Sequence, residues 1–336
     1  MLFAFSETIK KIKKEVSYMK LKILIFSTLF MSSSGFAQYR WDFGGQLGAS
    51  NYLGDIGGKA SSRKDFVSDM KLAETRWAGA AFLRYKFSPK FSLRGQFAYQ
   101  RIQGADSLST NPARRARNLN FRNDIFELSA TPQLTIYENQ DLGSSYRFKM
   151  AFNFYIFAGV GVMYNDPKAK YYGEVYDLHK YQTEGKPYSL WQFVVPVGTG
   201  FYFTVRKKHR IGFEYNWRIC PMPNGDYLDD VHGSYAKLTP GSTAYILANR
   251  TPYLDAADKA SIIKETSPGF FNNFGYDPLH NPHGTRGDSK RNDTYMTVSL
   301  NYSYVIRGHG SFYRSRYGSF FSKKKKKNSR KVRAKF

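Results

Sequence analysis

The sequence of 336 residues predicts an all-β protein, an antiparallel transmembrane β-barrel of about eight strands. Apolar and polar side chains alternate with a period of two in several segments, which is the strand signature. Many of these segments reach the ~9–11 residues that a tilted strand needs to cross a bilayer. The connections between them alternate long and short, as in bacterial outer-membrane barrels with long extracellular loops and short periplasmic turns.

The clearest strand pair runs from Trp191 to Ile219. Large or apolar side chains occupy nearly every odd position of both arms, and the basic turn 206–209 joins them. Each arm is longer than the ~5–6 residues usual in globular sheets. The pattern therefore predicts a β-hairpin long enough to cross a membrane.

Six further segments alternate in the same way, namely 39–49, 77–87, 91–100, 126–136, 148–164 and 294–306. The longest connection, about 220–291, contains a possible short helix between Pro252 and Pro268. An even number of strands places both termini in the periplasm. Pro132 and Pro196 argue against a closed barrel, because proline cannot donate to the ladder, so we expect bulges to absorb them.

Alternation alone does not separate a membrane barrel from a soluble barrel or sandwich. The composition of the polar face favours the membrane. It is rich in Gly, Ala, Ser, Thr, Asn and Gln and contains few lysines. Such side chains suit a narrow lumen better than a solvated surface.

The N-terminal segment 1–37 has the pattern of a secretory signal, in which 1–18 is a possible over-extended start. Its apolar run, 23–31, is too short for a membrane-spanning helix, and the small residues before Gln38 suit a cleavage site. We therefore expect three parts: the signal peptide, the barrel at 38–307 with its loop insertion, and a basic periplasmic tail at 308–336.

The formal net charge of +25 is concentrated at the C-terminus. Residues 307–336 contain twelve Lys or Arg and no acid. An exported protein meets lipid, sugar polymers and acidic protein surfaces before nucleic acid, so no nucleic-acid partner is expected. Aromatic and basic side chains alternate in the tail, a composition typical of binding sites: Phe312, Tyr313, Arg314, Arg316, Tyr317, Phe320, Phe321 and the lysine run Lys323 to Lys327. The alternative is an unstructured basic extension held loosely to the anionic inner leaflet.

Charged residues on the predicted inner face form a second candidate set: Asp42, Arg84, Arg94, Glu127, Glu214 and Arg218. An eight-stranded barrel has an interior just wide enough for side chains to fill. Charges in such a lumen must be paired. We expect a plug in which Glu214 and Arg218 pair with arginines of neighbouring strands, and a catalytic carboxylate pair is the less favoured interpretation.

No catalytic, cofactor or metal site is predicted. Barrel hydrolases need a histidine as general base, and the six histidines fall in predicted loops, turns or the tail: His179, His209, His232, His280, His283 and His309. His280 and His283 have no further Cys/His partner, so zinc is weakly indicated. Asp226, Asp229 and Asp230 could bind calcium, although a solvated loop is the better interpretation. Cys220 has no disulfide partner and reads as a small hydrophobic residue near a strand end.

Several short segments, in this order and spacing, resemble the PorG family of outer-membrane barrel components of the type IX secretion and gliding machinery. They are 51–56, 119–122, 157–161, 183–185, 188–190, 196–198 and 226–231 followed by Gly233. The motif residues singled out are Asn51, Tyr52, Gly54, Asp55, Thr183, Glu184, Gly185, Asp226, Tyr227, Leu228, Asp229 and Asp230.

The resemblance implies a non-enzymatic scaffold that links the outer membrane to the periplasmic ring of the secretion apparatus. Its partners would be outer-membrane lipid and the periplasmic and outer-membrane components of that apparatus. Segment 220–225 and the long insertion depart from the family pattern and leave open whether the chain is the secretion component or a paralogue. The alternative function is a structural or adhesive barrel that binds surface ligands or polysaccharide through its extracellular loops.

Overall fold

The computed structural model describes residues 41–57, 72–139, 150–221, 227–233, 238–273, 286–287 and 292–306. The signal-like segment, the basic tail with all of its candidate binding residues, Asp226 and the His280 and His283 pair lie outside the described residues.

Within the described ranges the chain forms eleven strands and four short α-helices. The strands are β1 (Trp41–Leu53), β2 (Arg76–Lys86), β3 (Phe91–Ala105), β4 (Asn120–Asn139), β5 (Met150–Ala158), β6 (Val160–Tyr164), β7 (Pro167–Tyr171), β8 (Glu174–Asp177), β9 (Trp191–Val205), β10 (His209–Ile219) and β11 (Thr294–Ile306). The helices are α1 (Pro112–Arg117), α2 (Leu178–Tyr181), α3 (Thr243–Ala248) and α4 (Ala256–Glu265). Helix α4 lies inside the stretch predicted to hold a short helix.

The strands close into an antiparallel ring. Its order is β3, β2, β1, β11, β10, β9, then β5 with β6, then β4, which pairs again with β3. Strands β5 and β6 follow each other between the same two neighbours, so they count as one interrupted position, and the described ring has eight positions. The predicted eight-stranded barrel is confirmed. Trp41 pairs with Ile306, so the barrel begins and ends at the end that carries the short turns.

The two prolines are not absorbed by bulges, contrary to the sequence-based expectation. Pro132 stays in register with Leu93, and Pro196 stays in register with Arg218. The strand position between β4 and β9, which carry the two prolines, is interrupted at Gly159, between β5 and β6. The amide of Gly159 donates to the Pro196 carbonyl at 2.9 Å. A side chain at 159 would meet the Ala130 carbonyl of β4 at 2.3 Å. The glycine therefore lets β4 approach closely where proline amides are missing from the neighbouring ladders.

Three strands reach farther toward the long loops than the sequence predicted. Strand β1 continues to Leu53, β3 to Ala105, and β4 begins at Asn120, which pairs with Ala105. The predicted loop 165–187 contains the hairpin of β7 and β8 and helix α2. These segments continue the barrel at its long-loop end. None of the helices in the described part of the chain is long and apolar enough to cross a membrane.

The outer and inner faces of the ring differ sharply in polarity. Large apolar side chains point outward and are exposed, as in Leu47 at 74%, Phe193 at 72% and Leu300 at 67%. The inner face buries acids, arginines and amides. A soluble barrel would bury the apolar face instead. An apolar exterior, a polar filled interior and short turns at one end are the architecture of a transmembrane β-barrel of the outer-membrane type.

Candidate functional site: a charged lumen beneath a folded cap

The centre of the lumen is crossed by one ion pair. Arg94 on β3 binds Glu214 on β10 through two parallel contacts, Nη1 to Oε2 at 2.5 Å and Nη2 to Oε1 at 3.0 Å. The Tyr155 hydroxyl donates to the same carboxylate at 2.7 Å. Strands β3 and β10 lie four positions apart in the ring of eight, so the pair spans the barrel. The expectation that Glu214 pairs with an arginine of a neighbouring strand was wrong, because the long Arg94 side chain reaches it from the opposite wall.

A second pair lies nearer the long loops. Arg218 Nε donates to Glu127 Oε2 at 2.5 Å, and Arg218 Nη1 donates to the Thr297 hydroxyl at 2.6 Å. The same Glu127 oxygen accepts from Gln100 Nε2 at 2.9 Å and from the Tyr295 hydroxyl at 3.3 Å. The carboxylate is therefore held by three different strands, which resists any relative sliding.

The third group lies near the short turns and contains a residue that the sequence did not single out. Arg210 donates to Asp42 Oδ2 at 2.6 Å, the Ser303 hydroxyl donates to the same oxygen at 2.9 Å, and Arg84 Nη1 lies 3.5 Å from it. Arg210 has the same parity on β10 as the inward Glu214. The alternation of β10 predicts that Arg210 faces inward. It was not singled out because it directly follows the basic turn 206–209 in the sequence.

Aromatic rings fill the space between these charges. Arg84 lies over the rings of Tyr155 and Tyr202 at 5.6 and 5.1 Å, and Arg94 lies over Phe157 at 5.0 Å. A cavity of about 10 Å³, room for roughly one water molecule, lies beside Arg218. The described lumen is therefore a packed polar core.

The long-loop end is closed by a second core, which we call the cap. It is built from loop segments and the extended strand ends, and its buried apolar residues are Tyr52, Ile56, Ile102, Leu119, Phe121, Ile125, Met163, Ala169, Leu178, Val194, Cys220, Leu228, Val231, Leu247 and Tyr295. Cys220 follows β10 directly and is fully buried. Segment 227–233 contributes two members of this core, so the loop lies across the mouth of the barrel.

Asp229 holds that loop to the end of β1. The Tyr52 hydroxyl lies 2.7 Å from Asp229 Oδ2 and 2.6 Å from Asp293 Oδ1. The amides of Ile56 and Val231 donate to Asp229 at 3.2 and 2.9 Å. The Tyr52 hydroxyl therefore bridges two carboxylates from different segments of the chain. Burial and, after it, the nearby charge of Asp55 raise the pKa of Asp229 to about 7.

Asp230 anchors the other side of the same loop. It accepts hydrogen bonds from the Thr183 hydroxyl and, at 2.7 Å, from the Tyr188 hydroxyl. Arg286 donates to Thr183 Oγ1 at 2.7 Å and to the Asp230 carbonyl at 2.8 Å. Burial raises the pKa of Asp230, and Arg286 opposes the shift. The carboxylate of Glu184 accepts from the amide of His232 at 2.8 Å, which closes the loop.

Arg117 on α1 ties a third long loop into the cap. Its guanidinium binds both oxygens of Asp106, at 2.7 and 2.9 Å, and donates to the carbonyl of Asp55 at 2.7 Å. It also donates to the carbonyl of Arg286. The four loop segments at 51–57, 106–119, 183–188 and 227–233 are thus joined by side-chain bonds into one unit.

A family model described as a domain of unknown function, DUF6089, matches residues 19–243, which is more than half of the chain. The chain belongs to the DUF6089 family. The match includes the cap segments 51–56, 183–185 and 226–231.

Among solved structures, the DUF6089 chain is similar to two crystal structures of Ail, the attachment invasion locus protein of Yersinia pestis. One is in complex with the heparin analogue sucrose octasulfate. They share 11% and 10% sequence identity with this chain at a TM-score of 0.31, covering 80% of it and 99% of their own length. A similarity this distant says nothing about what this chain binds. A search of the curated proteins found no match.

Eleven of the twelve motif residues of the DUF6089 chain are described, and they lie in or beside the cap. Gly54 illustrates the tightness of the packing, since a side chain there would meet the Tyr52 hydroxyl at 1.8 Å. The interpretation of Asp229 and Asp230 as part of a solvated loop was wrong, because both are about 1% exposed or less. No group of three or more metal-ligating side chains occurs among the described residues. His209 begins β10, where its ring contacts Tyr302, and does not lie in the turn as predicted.

Proposed function

We propose that this DUF6089 chain is a non-enzymatic barrel of the Gram-negative outer membrane and a component of the type IX secretion apparatus, where it anchors the periplasmic ring to the membrane. The filled lumen carries the proposal. Arg94 and Glu214 block its centre, and the cap covers its long-loop end. A barrel that is packed inside acts through its ends, which suits a scaffold better than a channel.

The short-turn end offers a basic surface to such a partner. Arg206 and Lys207 are exposed at φ values of 51° and 58°, a left-handed backbone that costs non-glycine residues roughly 1–3 kcal/mol each. Lys90 is exposed on the short turn between β2 and β3, at the same end of the barrel. If the short turns face the periplasm, as in bacterial barrels, this surface and the basic tail both meet an acidic partner of the ring. The sequence resemblance implies that this partner belongs to the periplasmic ring of the secretion apparatus.

The adhesive alternative is not favoured. The described motif side chains of the long loops, such as Tyr52, Asp229 and Asp230, bind one another inside the cap and do not point outward. Their role in the described structure is to hold the loops together.

Co-purification after mild crosslinking in cells tests the proposal. The full chain should recover the periplasmic ring proteins, and truncation after Gly308 should abolish that recovery while the barrel still inserts. A matched variant with glutamine at 323–327 keeps the aromatic part of the tail and removes five positive charges. It should lose the salt-sensitive part of the binding only, since screening acts on exposed charges.

Two outcomes would contradict parts of the proposal. If the truncated chain still recovered the ring proteins fully, the tail would not be the contact. The basic turn 206–208 would then be the next candidate. Recovery of surface glycans and no ring protein would reject the scaffold. In planar bilayers the purified protein should show no large stable conductance, and a steady pore of porin size would contradict the filled lumen.

A further inference from the structure

The charges in the lumen do not balance at the short-turn end. Within the described chain the buried lumen contains four arginines, 84, 94, 210 and 218, and three carboxylates, 42, 127 and 214. Arg94 with Glu214 and Arg218 with Glu127 form one-to-one pairs. Asp42 is left to serve both Arg84 and Arg210, which gives this layer a surplus positive charge.

Arg84 carries that surplus. Its side chain is 2% exposed, its contact with Asp42 is 3.5 Å long, and its Nε and Nη1 atoms have no hydrogen-bond partner among the described residues. Arg210 Nε is buried and likewise without a partner there. Water can fill hydrogen bonds but does not neutralise a buried charge, which is costly when left alone. The rings of Tyr155 and Tyr202 attract the guanidinium without cancelling its charge.

A lysine lies beside the surplus charge. Lys86 is half-buried two residues closer to the short turn than Arg84, and its ammonium lies 5.7 Å from the centre of the Tyr202 ring. Arg210 lies 5.0 Å from that ring and Arg84 5.1 Å. Three cations therefore surround one phenol ring near the short-turn end of the lumen.

We propose that this cluster of Arg84, Arg210, Lys86 and Tyr202 binds a small inorganic oxyanion of the phosphate class. Guanidinium groups match oxyanions through parallel N–H donors, and a lysine adds a mobile point charge. The bound anion supplies the negative charge that Asp42 cannot provide twice. The site does not depend on the secretion role.

Titration of the folded full chain in detergent with inorganic phosphate tests the site, with chloride at equal ionic strength as the reference. Calorimetry should show saturable phosphate binding, and the thermal midpoint should rise with phosphate as for any ligand that binds the native state. Arg84→Gln should abolish both effects. Lys90→Gln, which removes an exposed charge at the same end, should leave them unchanged.

Asp42→Asn gives an effect of opposite sign and covers the case in which Arg84→Gln does not fold. Loss of the competing carboxylate should tighten phosphate binding by about tenfold or more, because a neighbouring charge shifts ionic equilibria by about 1–3 powers of ten. Equal stabilisation by phosphate and chloride, or unchanged affinity in Asp42→Asn, would overturn the proposal. So would a phenolate absorption band at neutral pH that is lost in Tyr202→Phe, because the tyrosine would then be the missing anion. Weak binding of phosphate that does not saturate marks an adventitious ion only and also rejects it.

Discussion

The lumen and the cap both bury charged side chains, but they satisfy them in different ways. In the lumen the ladders already pair the backbone, so charges bind other side chains, as Arg94 binds Glu214 across the barrel. In the cap the backbone leaves the ladder, and some carboxylates accept from amides as well, as Asp229 does from Ile56 and Val231.

The same difference holds for Asp106, Arg117 and Arg286, whereas Asp230 is bound by the hydroxyls of Thr183 and Tyr188. Asp106 accepts from the amides of Gly57 and Leu119 at 3.1 Å each, and Arg117 and Arg286 donate to backbone carbonyls. A lumen pair can therefore be replaced as a unit, whereas a cap carboxylate is also the hydrogen-bond acceptor of the chain around it. Loss of a lumen charge should act on the whole barrel, and loss of a cap acid should act on its own loop.

The largest effect is expected in the lumen. Glu214→Gln should destabilise the whole barrel by roughly 3–5 kcal/mol, because it leaves Arg94 as an uncompensated buried charge. Urea unfolding in lipid vesicles measures the change. The paired variant with methionine at both positions should recover most of the loss, since a buried pair can often be replaced by apolar residues. If single and double variants were equally unstable, packing and not charge would be the cause.

The second-largest effect is expected for a charge placed on the outer surface of the barrel. Leu300→Arg, on the exposed belt of β11, should cost roughly 2–4 kcal/mol in lipid, because the new charge lies in the apolar membrane zone. Leu72→Arg is the control, since Leu72 is equally exposed, at 77%, but belongs to the 3₁₀ turn at the long-loop end. It should stay within about 0.5 kcal/mol. Equal losses of stability in both variants would contradict the assignment of Leu300 to the apolar membrane zone.

The smallest effect should be local and pH-dependent. The pKa of Asp229 is raised to about 7 in the folded cap, against an ordinary value of 3.8. The native cap therefore binds this proton more tightly than the open loop does. Its stability is greatest below about pH 4 and falls as pH rises toward 7, by up to about tenfold in the opening equilibrium per pH unit.

Hydrogen exchange of the Ile56 and Val231 amides, corrected for intrinsic rates, measures this opening. Protection should be lower at pH 8 than at pH 5, and Asp229→Asn should remove most of that dependence. Asp177→Asn serves as the control, because Asp177 is partly exposed and binds two lysines, Lys168 and Lys180. If the pH dependence of protection persisted in Asp229→Asn, a group other than Asp229 would be responsible for it.

Much of the barrel could be read from local pattern. Alternation located the membrane strands and set the inward parity of Asp42, Arg84, Arg94, Glu127, Glu214 and Arg218. It could not locate strand ends such as β1 beyond Ala49, because Ser50 and Asn51 are polar yet still pair in the ladder. Prolines 132 and 196 were expected to bulge, since a single strand does not reveal that a neighbour can break instead.

The sequence by itself determined which side chains face inward, because a period of two is a property of one strand. Only the tertiary structure decided which of these side chains contact each other, because partners such as Arg94 and Glu214 depend on ring closure and on the stagger of eight strands. The cap shows the same limit more strongly. Tyr52 and Asp229 lie 177 residues apart, and the acidic composition of segment 226–231 suggested solvent. Burial came from the folding together of distant loops, whose amides and hydroxyls supplied the hydrogen bonds that water would otherwise provide.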